Sequence, residues 1–296
     1  MIIQKLVKSN LIHPPHWLAD NTGYLTIMGS DAYAVSSGSS DRDIYGFCFP
    51  PKEMTFPHLA GEIPGFGKQI QRFKQWSEHH VKDPDGKNLE YDFVVYSIVK
   101  YFDLCMSCNP NMIDSLFTPR RCVIHSTFAG EHVRENRKLF LHKGAWHTFK
   151  GYAYSQMSKI KNKTNSSNPK RADSIKNYGY DVKFAYHLVR LLSEVEQILV
   201  EYDLDLEKNR EQLKSIRRGE WTLEQIEKYS SDKERVLETL YTTSLLPHSP
   251  DENAIKNVLM ECIESHYGNL STAIVRNPDL DVFINDLKLV ISRYET

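Results

Sequence analysis

Gly29 and Ser30 close a short apolar run, and after ten intervening residues stand two aspartates, Asp41 and Asp43, with only Arg42 between them. Glycine lets a backbone approach a ligand closely, and the amides and hydroxyl of a Gly-Ser turn are natural donors to phosphate oxygens. Carboxylates at i and i+2 of a strand project from one face, with the intervening residue on the other. Held side by side they repel, a cost that a hard cation such as Mg2+ or Mn2+ removes. Asp92 offers a third carboxylate, and Glu90 lies two residues before it on the same face. If the strand of Asp92 lies beside that of Asp43, then Asp41, Asp43 and Asp92 form a trio suited to two metal ions. Such ions stabilise the attacking and leaving oxygens in phosphoryl or nucleotidyl transfer. The plain alternative is an ordinary polar loop.

The elements that must position these residues are legible in part. "GYLTIM" (23–28) is short, apolar and β-prone, and "DIYGFCF" (43–49) is a second strand, stopped by Pro50 and Pro51. "NLEYDFVVYS" (88–97) is a third, rich in Val and aromatics. A short helix over 31–35 fits between the Gly-Ser pair and the aspartates, so the pair would sit at a helix N-terminus. Proline and glycine mark turns between the second and third strands, and "KDPDGK" reads as a hairpin loop.

After the third strand the period becomes helical over "YSIVKYFDLCMSC", and "NPNMIDSLF" restarts a helix with Asn109 as cap and Pro110 at its first position. From about Ser126 helix signals dominate. "GYDVKFAYHLVRLLSEVEQILVEY" is a long amphipathic helix with Val182, Ala185, Leu188, Val189, Leu192, Val195 and Leu199 on its apolar side. "TLEQ" and "SPDE" read as capping boxes, and "LDVFINDLKLVISRY" as a last short helix. The polar segment "KIKNKTNSSNPKRADSIKNYGY" reads as a lysine-rich loop. The expected architecture is α+β: a small mixed β-sheet domain with flanking helices over residues 1–125, then a mainly α-helical domain over 126–296.

Lys183, His187 and Arg190 follow i, i+4, i+7 along one face of the long helix. Glu194, Gln197 and Glu201 continue that stripe, as a solvated polar face would. Yet Lys183 falls in the first turn, where a cation opposes the helix dipole by ~0.3–1 kcal/mol. An anionic ligand near that end reverses the sign, so the three are candidate contacts to phosphates or to an RNA backbone. The lysine-rich loop before them (Lys159, Lys161, Lys163, Lys170, Arg171, Lys176) is either an acceptor-binding arm or a solvated loop.

Other chemistry is poorly supported. Cys105 and Cys108 form a CxxC without a second pair, and the five cysteines are scattered, as free thiols in a reducing compartment are. His13 and His16, His79 and His80, and His142 and His147 have no acidic partner in the sequence pattern and read as surface or packing histidines. No P-loop, dinucleotide fingerprint or Gly-x-Ser-x-Gly turn occurs. A net charge of -1 argues against bulk-charge binding of nucleic acid but permits a local basic patch. Neither an apolar signal region nor a run of the ~20 residues needed to span a bilayer is present. A soluble, cytoplasmic protein with no membrane partner is expected.

The run G-S-x10-D-R-D-I resembles the signature of the DNA polymerase β nucleotidyltransferase superfamily, a Gly-Gly/Ser turn followed by an Asp-x-Asp/Glu strand. Within it, "MGSDAYAVSSGSSDRDIYGFCFPP" is most similar to the nucleotidyltransferases associated with RNA repair and RNA ligases (RlaP-like). Ala34 stands where that family usually has glycine, and Arg42 where the superfamily prefers an apolar residue. "DFVVYSIVKYFDLCMSCNPNMIDSLFTP", "FKGYAYSQMSKI" and "GYDVKFAYHLVRLL" resemble further family blocks, so the likeness runs from Gly23 to about Gly219. The resemblance implies that Gly29 and Ser30 hold a triphosphate and that Asp41 and Asp43 bind metal. Asp92 would be a third metal carboxylate that helps activate the attacking hydroxyl. It implies NMP transfer from an NTP to an acceptor hydroxyl, an RNA end, with two Mg2+ or Mn2+ ions, pyrophosphate released and an RNA ligase as partner. The alternatives are AMPylation of a protein, as in antitoxin-type relatives, and a non-catalytic nucleotide- or RNA-binding module.

Overall fold

In the computed structural model, which describes residues 1–36, 41–85, 89–162, 168–268 and Leu287, five strands form one mixed sheet of order β3-β4-β2-β1-β5. These are β1 (Thr22–Ile27), β2 (Arg42–Cys48), β3 (Gln75–Lys82), β4 (Glu90–Ser97) and β5 (Val123–Ser126). β2 and β4 pair in parallel, while the β1–β2, β1–β5 and β3–β4 pairs are antiparallel. The described helices are α1 (Ile2–Lys8), α2 (Lys52–Thr55), α3 (Ile98–Met106), α4 (Pro110–Phe117), α5 (Phe128–Glu135) and α6 (Ala145–Asn162). They continue with α7 (Pro169–Tyr178), α8 (Val182–Glu201), α9 (Arg210–Arg217), α10 (Leu223–Thr243) and α11 (Glu252–Tyr267). The α+β class follows.

Two compact units emerge. The first comprises Met1–Phe49 and Lys74–Cys262 and carries the sheet, α1, and α3 to α10. Its core joins Tyr24, Phe47, Phe93 and Tyr101 of the sheet region, while the helices bury Trp146, Phe149, Leu188 and Val195. The second unit is Pro50–Phe73 with the chain from Ile263 onward. In its described part, the Phe56 ring packs edge-on against Tyr267, whose hydroxyl donates to the Pro50 carbonyl and bonds Thr55 Oγ1 at 3.0 Å.

Several expectations were met for the stated reasons. Asn109 caps α4 by accepting from the Asn111 and Met112 amides, with Pro110 at the first position, and the Thr222–Gln225 capping box starts α10. All five cysteines are free and buried, as packing residues are.

Others need correction. No helix forms over 31–35: the segment is a hydrogen-bonded turn in which the Tyr33 amide donates to the Gly29 carbonyl and that of Val35 to the Ser30 carbonyl. Ala34, at φ +52°, is left-handed, which ends helical propagation there. Two strands escaped the sequence reading. β3 is a polar edge strand with a bulge between Glu78 and Val81, so its alternation breaks, and β5 has only four residues. The lysine-rich segment is largely helical, since α6 continues to Asn162 and α7 begins at Pro169 behind an Asn168 cap. α11 is capped by Asp251, whose carboxylate accepts from the Ala254 amide at 3.0 Å, rather than by Ser249. The helix expected over 280–294 lies outside the described residues apart from Leu287, as do residues 37–40 and 86–88.

Ala34 gives a direct check on the turn. An L-residue in the left-handed region costs ~1–2 kcal/mol that glycine avoids, partly offset by glycine's larger unfolded-state entropy. Ala34→Gly is expected to raise stability by about 1 kcal/mol, read as a higher urea midpoint at unchanged slope.

Candidate active site

The parallel pairing of β2 with β4 sets Asp43 directly opposite Asp92. In-register neighbours on adjacent strands share a face, so the two carboxylates lie side by side. Burial pushes the Asp43 carboxyl above its usual range, and the charges of Asp92 and Asp41 push it further. Lys183 and His79 pull in the opposite direction. That balance identifies who stands near Asp43: two carboxylates, a lysine from the first turn of α8 and a histidine from β3.

Gly29 closes the site from the β1 side. The Met28 amide donates to the Asp43 carbonyl at 2.7 Å, extending the β1–β2 pairing to the start of the turn. Gly29 then takes φ +66°, and a Cβ there would sit 2.5 Å from Asp43 Oδ2. Only glycine fits on both counts, so the Gly-Ser turn lies against the carboxylate. Arg42 points away from the pair, its Nε 3.6 Å from Asp31 Oδ2, as alternation requires.

His79 and His80 are the residues that sequence reasoning missed. The β3 bulge puts His80 at φ +57° and turns its amide toward Asp92 Oδ1, which accepts it at 2.8 Å. His79 Nδ1 stands 3.6 Å from the same oxygen, and His80 Nδ1 is 3.4 Å from Glu90 Oε2. These are not isolated histidines. Their acidic partners come from the antiparallel neighbour β4, and the pairing is invisible until β3 is recognised as a strand.

Among the described residues no three His, Cys, Asp or Glu side chains converge as a ready-made metal cluster. The fold supplies the adjacent pair Asp43 and Asp92, with Asp41 in electrostatic range. The donor set fits a hard divalent cation: oxygen donors alone, one of them held at an electrostatic cost that a cation would relieve.

The profile of the RNA repair pathway DNA polymerase beta family (RlaP) matches residues 20–261, which span the whole constellation. The chain belongs to this family. Among solved structures it is similar to a nucleotidyltransferase-like protein from Exiguobacterium sibiricum, at 9% identity and a TM-score of 0.29, over 91% of this chain and 75% of that one. No curated protein matches. No helix among the described residues is long and apolar enough to cross a membrane.

In this polymerase β-type chain the stripe on α8 splits into two roles. Lys183 is exposed and acts on Asp43. His187 is partly exposed, and its imidazole is held well below the usual range by burial and then by the charges of Arg190, Lys183, Arg171 and Arg217. Cations from α7, α8 and α9 thus converge on this imidazole, although Arg171 has Asp181 at 3.6 Å and Arg190 has Asp114 as partners. Arg190 is different, being 5% exposed. Its Nη1 donates to Asp114 Oδ2 on α4 and to Tyr33 Oη in the Gly-Ser turn, and lies 3.5 Å from Glu194 Oε1. Tyr33 Oη in turn donates to Asp114 Oδ2 at 2.5 Å. The middle of the stripe is therefore no solvated face: α8 packs against α6, α7, α9 and α10, so Arg190, Glu194 and Gln197 are buried, while Lys183 and Glu201 at its ends are exposed. Burial holds the Glu194 carboxyl well above the usual range and raises Asp114 as well, favouring one ionised carboxylate against the one guanidinium.

This cluster locks the turn to α8, and two more arginines reinforce it. Arg217 Nη1 donates to the Val35 carbonyl at 3.0 Å, and Arg121 Nη1 to that of Asp31 at 3.2 Å.

Two outcomes follow. Because the Asp43 carboxyl is raised, its ionised form is disfavoured in the fold, so it subtracts stability as pH rises above the unfolded carboxylate range. Asp43→Asn should raise the thermal midpoint of the metal-free protein at pH 7–8, with the gain vanishing as pH falls and wild-type Asp43 takes up its proton. Mg2+ should raise the midpoint of wild type and not of the variant. Removing the guanidinium strands a buried carboxylate, so Arg190→Met should cost about 3–5 kcal/mol in urea unfolding. Adding Asp114→Asn should recover much of that loss.

Proposed function

We propose that the protein transfers a nucleoside monophosphate from an NTP to an acceptor hydroxyl at an RNA end, releasing pyrophosphate. The observation that carries this reading is the Asp43–Asp92 pair against the Gly29 turn, within reach of the Lys183 charge. Membership of the RNA repair pathway family supports RNA as the acceptor.

Asp41, Asp43 and Asp92 would hold two Mg2+ or Mn2+ ions, which when bound supply charge neutralisation for the attacking and leaving oxygens. The Gly29 and Ser30 amides and the Ser30 hydroxyl bind the triphosphate. Lys183 balances the charge that builds on the departing pyrophosphate. The acceptor oxygen bonds to the α-phosphorus as the bond from that phosphorus to the bridging oxygen of the β-phosphate breaks. The hydroxyl proton passes to the Asp92 carboxylate, which the His80 amide orients through Oδ1. Arg190 serves by position, fixing the turn and α8 through Tyr33 and Asp114, rather than by touching phosphate. In this reading residues 1–125 carry the catalytic carboxylates, and 126–296 lend the basic face.

The test is incubation with labelled NTPs and Mg2+ in the presence of RNA or of total protein. Label is expected in the RNA fraction, and the double variant Asp41→Ala/Asp43→Ala should lose at least about a thousand-fold of it while keeping its fold by circular dichroism. Full transfer by that variant would overturn the assignment. Label in the protein fraction would redirect it to AMPylation, and nucleotide binding without turnover to a non-catalytic module.

A further inference from the structure

The sheet face that carries the carboxylates continues beyond them. Tyr45 lies two residues past Asp43 on the same face of β2, opposite Val94, and Tyr96 lies four residues past Asp92 on the same face of β4, opposite Phe47. Both tyrosines are half-buried, while Val94 and Phe47 on the same face are buried, Phe47 beneath Tyr101 of α3. On the edge strand, Gln75 pairs with Tyr96 and Ser77 with Val94, and both polar side chains are exposed. The face is thus covered toward β1 and exposed and polar only at its β3 rim, and the two half-buried rings lie between.

A third ring arrives from α6. Tyr152 is 40% exposed, and its hydroxyl accepts from Asn109 Nδ2 at 3.0 Å. Asn109 is itself fixed by capping α4, so the ring is anchored from a rigid element. Asp43, Asp92, Tyr96 and Tyr152 all lie within electrostatic range of the Tyr45 hydroxyl. Tyr152 acts on the Tyr96 phenol as well. The three phenols and the two carboxylates therefore share one neighbourhood.

We propose that Tyr45, Tyr96 and Tyr152 form a nucleoside-binding strip that runs from the Asp43–Asp92 pair toward the exposed β3 edge of the sheet and stacks a base. Every base has a π-face, and tyrosine offers a large, stiff stacking surface with only two rotatable bonds to order. Aromatic rings on a sheet face are a recurrent way of holding unpaired bases. Leucine or valine would fill half-buried positions equally well without placing phenols beside carboxylates. The proposal rests on the nucleotidyl-transfer reading, in which two nucleosides meet the site: that of the incoming NTP and that of the acceptor end. Both present the same chemistry to the strip.

The experiment measures binding rather than turnover, with three probes: a non-hydrolysable NTP with Mg2+, a short single-stranded RNA with a free 3′-hydroxyl and no triphosphate, and inorganic tripolyphosphate with Mg2+. Wild type is compared with Tyr152→Leu, Tyr45→Leu and Tyr96→Leu, and with the corresponding Phe variants, which keep the ring. Tyr152 is exposed enough that its variants are expected to fold whatever the other two do. The Leu variants should weaken one nucleoside-bearing probe about ten-fold, the Phe variants should restore it, and tripolyphosphate binding should not change. Loss for the NTP alone assigns the strip to the incoming nucleotide, and loss for the RNA alone assigns it to the acceptor. Unchanged binding of both in Tyr152→Leu, with wild type binding both, overturns the strip and leaves the nucleotidyl-transfer reading standing. Wild type that binds none of the three overturns that reading and the strip with it.

Discussion

Asp43 and Asp92 are held side by side by parallel pairing of β2 with β4, although their charges repel and burial already disfavours ionised Asp43. Nearly everything else in the first unit bears on how this arrangement is kept. Parallel strands need a long crossover between them, and β3 lies inside that connection, pairing back onto β4 as the sheet edge. From there it delivers the His79 ring and the His80 amide to Asp92. On the other side β1 delivers Gly29, whose missing side chain is the space that Asp43 Oδ2 occupies. The pair is thus oriented by a backbone amide on one flank and by bare backbone on the other, and neither flank neutralises it. Its remaining charge is available to a cation.

The second dependence is that of the turn on the helices. Residues 29–35 make too few internal hydrogen bonds to be a helix, and they are held instead through Tyr33, the Val35 carbonyl and the Asp31 carbonyl by Arg190, Arg217 and Arg121. A buried guanidinium shared between a tyrosine and an aspartate is costly to desolvate, and it contributes geometry more than net stability. Asp114 Oδ1, Arg190 Nε, the Tyr186 hydroxyl and both Glu194 oxygens have no hydrogen-bond partner among the described residues. Such a half-satisfied cluster costs free energy that an apolar core would not. It links the Gly29–Ser30 turn to the helix that carries Lys183 and His187, so the cost is spent on fixing the turn beside the carboxylate pair.

Much of this was legible in residue types and spacing. The Gly29–Ser30 turn, the i, i+2 aspartates and the strand of Asp92 could be read directly, because a period of two and a local glycine are short-range signals. The amphipathic core side of α8 was readable for the same reason. What escaped depended on partners distant in sequence. β3 has the composition of a surface loop and becomes a strand by pairing with β4, and its histidines acquire acidic neighbours only then. Arg190 was grouped with Lys183 by helical spacing, yet 7 positions along a helix was enough to move it from the exposed first turn to the interior, where Tyr33 and Asp114 meet it. Spacing along one helix fixes a face, but what covers that face is decided by the rest of the chain.

Among the described residues of the first unit, the left-handed non-glycine residues are of two kinds: Asn10, Cys108 and Tyr202 follow helix ends, while Ala34 and His80 lie beside the carboxylate pair. Gly29 at φ +66°, Ala34 at +52° and His80 at +57° are left-handed, and they fall on the two segments that flank the carboxylates. Left-handed geometry at a non-glycine residue costs ~1–2 kcal/mol and survives only where surrounding contacts over-determine it. For His80 the compensation is visible in the amide it turns to Asp92. For Ala34 it is the pinning of Tyr33 and Val35 on either side, which holds the turn whatever residue stands between them. These conformations persist beside two repelling carboxylates, each held in place by a contact that also shapes the site.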